Sequence, residues 1–238
     1  RIAIKVSFED EGLDFVDVLN AKKLTLTHGI GLLIKLAGAE AKRDFKDVNK
    51  IGVDKIVAPM IESPFALSKY IKTALNFVDP KKIQLGFNME SKQCFENIES
   101  ILDTKESNHL SSITVGRGDL AESYGLDRYK GTVNSKEIYE ITHKTFSLGR
   151  SKGLKTYLGG SMNFESIDFI SELKNENLID YFETRNVVFD INVLDDFSFN
   201  EMIDLAFSFE KNKMEARRSY YELLFNEDFE RLKRLSNI

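Results

Sequence analysis

The chain predicts an α/β fold, a (β/α)8 barrel that ends in a C-terminal helical extension, on three observations. From the first residue to about residue 190, short β-rich runs alternate with longer segments of helical periodicity, the rhythm of βα units around a parallel sheet. After residue 198 the rhythm stops and one long helical stretch follows, 199–235. A doubly wound open sheet shares this local pattern, but no glycine-rich dinucleotide turn follows the first run, and Gly159-Gly160-Ser161 comes late and without that spacing.

In order, the predicted strands are 2–8, 32–37, 55–61, 82–89, 112–115, 155–158 and 181–189. An eighth strand is placed either upstream of Arg1 or, weakly marked, around 24–27. Between strands, 64–77 reads as a helix with Pro64 in its first turn, and 135–152 as a helix closed by Gly153. At 238 residues one domain is expected, with the barrel over 1–198 and the helical extension of the same domain over 199–238. The extension carries Ile203, Leu205, Phe209, Met214, Tyr221, Leu224, Phe229 and Leu232 at irregular spacing, apolar enough to seek the barrel or a neighbouring subunit.

Composition narrows the function classes. A hydrophobic share of 42% with 30% charged residues is that of an ordinary globular protein, and no apolar run is long enough to span a bilayer. A net charge of −5 argues against nucleic acid as a partner. The single cysteine, Cys94, excludes an intrachain disulfide and a multi-cysteine zinc site, which fits a reducing, cytoplasmic setting.

The active site of such a barrel forms where strands end, so the polar residues that terminate apolar runs are the candidates. They are Glu9 and Asp10, Lys35, Glu62 and Ser63, Glu90, Arg117 and Asp119, Gly159 to Ser161, and Glu183 with Arg185. Glu90 and Asp119 end successive strands, where carboxylates are rarely buried unless paired or metal-bound, and two such oxygens suit Mg2+ or Mn2+. The competing reading makes each a helix or turn cap. Arg117 offers a guanidinium fork for a substrate carboxylate or phosphate, against a structural ion pair. Lys35 serves as an anion clamp or, if desolvated, a Schiff-base nucleophile. Glu40, Arg43 and Asp44 read either as site residues or as a solvated helix face. His28, His109 and His143 lie away from strand ends, which leaves no evident imidazole base.

Three segments carry a family resemblance: Ile56-Val57-Ala58-Pro59-Met60-Ile61-Glu62-Ser63, Gly86-Phe87-Asn88-Met89-Glu90-Ser91, and Val115-Gly116-Arg117-Gly118-Asp119-Leu120-Ala121-Glu122-Ser123-Tyr124-Gly125. In order and spacing they resemble the HpcH/HpaI aldolase and citrate lyase β-subunit superfamily, a branch of the phosphoenolpyruvate/pyruvate barrels, strongly over about 55–125 and elsewhere by rhythm alone. The resemblance implies that Glu90 and Asp119 hold the divalent metal and that this metal chelates the carboxylate and keto or enolate oxygens of a pyruvate-like group. The leading reading adds substrate contacts from Arg117, Lys35 and Glu62 and from the backbone N–H groups of the Gly159-Gly160-Ser161 loop, with Arg117 and Lys35 serving catalysis. Phe8-Glu9-Asp10-Glu11-Gly12 looks like the acidic strand end of the citrate lyase branch.

There are two departures. Lys35 stands where family members commonly use arginine, and the early histidine of HpaI-type aldolases has no counterpart here. The leading expectation is therefore a metal-dependent carbon–carbon lyase acting on a keto acid or acyl-CoA thioester, as a homo-oligomer. The alternatives are a non-catalytic ligand-binding or assembly barrel, and an enzyme that uses phosphoenolpyruvate, since Arg117-Gly118-Asp119-Leu120 also resembles the metal-binding strand of pyruvate kinase.

Overall fold

The computed structural model describes residues 2–129 and 131–236; Arg1, Lys130, Asn237 and Ile238, which include the outer ends of both predicted regions, lie outside them, as does the strand placed before Arg1. Eight strands close into one barrel in sequence order. They are β1 (Ile2–Ser7), β2 (Gly31–Lys35), β3 (Lys55–Ala58), β4 (Gln84–Met89), β5 (Ser112–Gly116), β6 (Lys155–Gly159), β7 (Tyr181–Glu183) and β8 (Val187–Asp190). The helices are α1 (Phe15–His28), α2 (Lys42–Ile51), α3 (Pro64–Phe77), α4 (Lys92–Glu96), α5 (Ile98–Leu102), α6 (Arg117–Ser123), α7 (Lys136–Ser151), α8 (Ile167–Asn175) and α9 (Phe199–Ser236).

Strands β1 to β7 pair in parallel, but β8 runs antiparallel between β7 and β1 and closes the ring. The predicted strand 181–189 is thus a hairpin of two strands. Thr184 N donates to the Val187 carbonyl oxygen at 2.9 Å to close its turn, and the Asn186 side chain donates to the Lys5 carbonyl oxygen at 3.1 Å. Residues 24–27, the other place considered for an eighth strand, lie inside α1, whose N-terminus is capped by Asp14.

Pleat alternation sorts each strand's residues between two cores. In β2, Leu32 and Ile34 face the helices with Phe45 and Val48, whereas Leu33 faces the barrel axis with Val57, Tyr157 and Val188. That axial apolar layer is thin. Polar residues share the interior, among them Lys5, Lys55, Asn88, Ser112, Thr114 and Glu183, where barrels of this architecture usually stack branched apolar side chains. Helix α9 anchors through Phe199, Met202, Ile203 and Ala206, all buried, and its remainder is largely exposed. Among the described residues no helix is long and apolar enough to cross a membrane.

Candidate active site

A polar cavity of about 270 Å3 opens at the C-terminal ends of the strands. Of the predicted residues, Glu90, Asp119, Lys35, Gly160 and Ser161 line it, together with Asp10, Glu183 and Arg185 from the wider set of strand ends.

Glu90 follows β4 directly. The cap of α4 is Ser91, whose hydroxyl accepts from Cys94 N at 3.1 Å, so Glu90 is not spent on capping. Its Oε1 accepts from Met60 N at 3.1 Å, and its Oε2 accepts from Asn88 Nδ2 at 2.9 Å and lies 3.6 Å from Lys35 Nζ. Burial lifts the Glu90 carboxyl above the usual carboxylate range against the pull of Lys35 and Asn88, and nearby Asp119 adds to the rise. Gly116 makes this seat available, since a Cβ there would stand 3.0 Å from both Glu90 Cβ and Oε2.

Asp119 sits in the first turn of α6, one turn past the strand end, and its helix has no side-chain cap. Its Oδ1 is 3.0 Å from Arg128 Nη2, and Arg128 Nη1 reaches Glu122 at 3.2 Å. A Cβ on Gly118 would come within 2.8 Å of Arg128 Nη2 and 3.0 Å of Ser161 Oγ. The two glycines of the Gly-Arg-Gly-Asp segment therefore clear space for the two acids' surroundings.

Lys35 is buried, with Nζ 2.7 Å from Glu9 Oε2. Burial disfavours its charge, but Glu90, Glu9 and Asp10 outweigh burial and hold the ammonium above the usual lysine range. On the cavity floor the Lys5 ammonium donates to Glu183, and the absent side chain of Gly159 leaves room for that carboxylate. Gly160, at φ +78°, packs its Cα against the start of α6, where a Cβ would be 2.3 Å from Arg117 N. Its need for glycine is close backbone approach. Ser161 adopts φ 48° and presents its hydroxyl beside Gly118.

Two predicted substrate residues face elsewhere. The Arg117 guanidinium is completely buried away from the cavity, donating to the carbonyl oxygen of Gly159 (3.2 Å), to Asn134 Oδ1 (2.6 Å) and to Ser166 Oγ (3.2 Å), with Phe169 beneath it. Burial among neutral acceptors pushes its pKa down to about 9. Arg117 ties α6 to the β6–α8 connection. The Glu62 carboxylate accepts from Ser91 Oγ at 2.5 Å and braces the rim between β3 and β4, outside the cavity lining. Gly159 contributes space for Glu183 without lining the cavity itself.

Of the other candidates, Asp44 is buried and accepts from Ala37 N at 2.8 Å, Glu40 pairs with Lys69, and His143 pairs on the surface with Glu176. Burial pushes the Cys94 thiol up, which makes it inert. Sequence reasoning missed Arg128 and Tyr129, from the loop after α6, and Phe207 and Glu210, from α9. It also passed over Lys5 and Asn88, which the period-2 alternation with Ile4, Val6, Phe87 and Met89 could have revealed.

As a metal seat, the site offers two carboxylates, and the Asn88 amide oxygen beside Glu90 is buried without a hydrogen-bond partner. Among the described residues no cluster of three or more acidic, histidine or cysteine side chains gathers. An all-oxygen set with few protein ligands fits Mg2+ or Mn2+, which keep water and substrate oxygens in their shells.

The family model for HpcH/HpaI aldolase/citrate lyase matches residues 35–165, more than half of the chain and the stretch that holds Lys35, Glu90, Asp119 and Ser161. The chain belongs to this family. Its members are enzymes of the aldolase/citrate lyase type that act on small keto acids and generally use divalent metals. Among solved structures, an HpcH/HpaI aldolase from Desulfitobacterium hafniense DCB-2 superposes with a TM-score of 0.62 at 13% identity, covering 84% of this chain and 82% of its own. The citrate synthase SbnG gives a TM-score of 0.64 at 15% identity, covering 88% and 84%. RipC from Yersinia pestis gives 0.53 at 17% identity, covering 76% and 81%. At such identities these structures establish the shared fold. No curated protein sequence matches the chain.

Proposed function

We propose that this HpcH/HpaI family member is a divalent-metal-assisted carbon–carbon lyase that makes or breaks a bond beside the enolate of a pyruvate- or oxaloacetate-like keto acid or an acyl thioester. The observation that carries the reading is the convergence of Glu90 and Asp119, from neighbouring strand ends, on one cavity that also holds Lys35 and Arg128.

Glu90 and Asp119 would hold Mg2+ or Mn2+, with the Asn88 amide oxygen as a neutral neighbour; Arg128 then yields Asp119 Oδ1. The bound cation supplies Lewis-acid polarisation of the substrate's keto oxygen. Lys35, kept charged by Glu9 and Glu90, binds the substrate's carboxylate and favours negative charge that develops on the adjacent oxygen. A permanently protonated amine is a poor nucleophile, so the anion-binding role prevails over the Schiff base. As Lys35 lacks the fork of an arginine, it grips that carboxylate from one point, and Ser161 and Arg128 supply the remaining donors.

Among the described residues no histidine lines the cavity, so the proton is assigned to a carboxylate of the chain. Glu62 lies outside the cavity lining, whereas Asp10, Glu183 and Glu210 line it, and Glu183 on the floor, paired with Lys5 as a proton partner, is the one assigned. The exposed apolar residues of α9, among them Tyr221, Phe225, Phe229 and Leu232, support a homo-oligomer, and a monomer in light scattering counts against that part.

The test is pyruvate release from a panel of 4-hydroxy-2-keto acids and acyl-CoA thioesters with Mg2+ or Mn2+. Asp119→Ala should abolish turnover while circular dichroism and melting stay unchanged. Full activity in that variant would overturn the reading, and binding without turnover across the panel would favour the non-catalytic barrel.

A further inference from the structure

A second cavity, of about 570 Å3, opens at the opposite mouth of the barrel, where the strands begin. Its lining is mainly apolar, with Ile2, Ile30, Leu33 and Val188, and it includes Lys55, Tyr157, Tyr181 and Asp54, whose carboxylate is held by Lys22 at 3.0 Å and by Leu32 N at 2.8 Å. Nothing in the proposed lyase chemistry uses these residues.

Lys55 opens β3, and its side chain runs into the barrel. Its Nζ is buried with no hydrogen-bond partner among the described residues. It rests 3.2 Å from the centroid of the Tyr157 ring, which stacks on Tyr181 at 4.4 Å. Gly86 gives the chain its passage, because a Cβ there would stand 3.4 Å from Lys55 Cε and 2.4 Å from Ser112 Oγ. The charged and titratable groups around the amine are already engaged. Glu183 accepts from Lys5, Asp180 is held by Arg150 and Lys155 at 3.3 and 2.8 Å, and the tyrosines stack on each other. Burial therefore holds the amine well below the lysine range, against the pull of Glu183 and with the repulsion of Lys5.

Buried polar groups in native proteins are almost always satisfied, and an aromatic face compensates an amine only in part. A lysine kept without a partner beside an apolar cavity is arranged to receive one. We propose that the N-terminal mouth of this barrel binds an apolar monocarboxylate, its carboxylate paired with Lys55 and its hydrocarbon part against Leu33, Ile30 and Val188. An anion is the complement of a donor-only group, and the apolar lining selects for a hydrocarbon body over a second charge. A bound carboxylate favours the charged form of the amine, so binding raises the pKa of Lys55. This site is separate from the C-terminal cavity and stands whether or not the lyase reading holds.

The test is isothermal titration of the full chain with hexanoate and with benzoate, at several pH values and in two buffers of different ionisation enthalpy. The expected result is saturable binding of at least one probe, weakening as pH rises through the titration of the bound amine, with proton uptake at any pH where the free amine is neutral. Lys55→Met should weaken binding by more than about tenfold without lowering the melting temperature. Ile30→Trp, which keeps the amine and fills the cavity, should weaken binding as well and provides the second arm should Lys55→Met fail to fold. Absence of saturable binding by both probes, binding that neither variant changes, or binding that does not weaken as pH rises above the range of a free lysine would overturn the proposal and leave Lys55 as a side chain resting on Tyr157.

Discussion

Arg128 Nη2 lies 3.0 Å from Asp119 Oδ1, so one of the two acids offered to a metal already carries a cation of its own. The other, Glu90, faces Lys35 Nζ at 3.6 Å. The two partners differ in what it takes to move them. Lys35 is buried and also held by Glu9, whereas Arg128 is half-buried and shared with the exposed Glu122. Arg128 is therefore the partner that gives way.

From this follows an expectation for metal affinity. Arg128→Gln should tighten Mn2+ binding several-fold, the return of about 1 kcal/mol for a half-exposed ion pair that no longer competes. Isothermal titration measures it directly, and weaker binding in the variant would show that Arg128 assists the cation.

Lys35 and Lys55 are both buried lysines, yet their surroundings drive them in opposite directions: two carboxylates reach the first and none reaches the second. Borohydride reduction in the presence of pyruvate should therefore leave no adduct on Lys35, as judged by peptide mass, while Lys35→Met raises KM about tenfold or more through the lost carboxylate contact. A reduced adduct at Lys35 would replace the enolate mechanism with a Schiff base.

The acids were legible because a carboxylate that ends an apolar run has few structural uses. Arg117 was not, for a reason of helix geometry. It stands two residues before Asp119 in the first turn of α6, and two residues on a helix are about 200° apart, so one faces the cavity and the other the layer below. The hairpin of β7 and β8 escaped notice because its turn, Thr184-Arg185-Asn186, contains neither glycine nor proline and its strands read as one β-rich run. Arg128, Phe207 and Glu210 reach the cavity along chain paths that no periodicity encodes. The barrel rhythm itself was plain, since each short β-rich run is followed by a longer stretch of helical periodicity, even where Lys5, Asn88 or Thr114 interrupts the apolar run.

Arg117 provides a stability test that separates structure from substrate binding. Its guanidinium donates to the Gly159 carbonyl oxygen, Asn134 and Ser166, and Arg117→Met removes all three bonds, leaving Asn134 and Ser166 only their bond to each other and to Asn163. The loss should be about 2–3 kcal/mol, or roughly 5–10 °C in melting temperature for a chain of this size, with KM of the folded fraction unchanged. Raised KM with an unchanged melting temperature would return Arg117 to the substrate.

Lys55 also makes stability depend on pH in a known direction. Burial holds its pKa in the folded protein well below that of a free lysine, about 10.4, the value taken for the unfolded chain. The unfolded chain therefore binds more protons between those two pKa values, and stability rises with pH across that window. The contribution is fully present above the unfolded pKa and is lost as pH falls through the folded one. Urea unfolding of the protein at a series of pH values below 10 should show this component, with a slope of up to about 1.4 kcal/mol per pH unit, and Lys55→Met should flatten it and raise stability at neutral pH. A pH profile identical in the two proteins would mean that the amine stays protonated over Tyr157 throughout, with the cation–π contact carrying more than burial takes away.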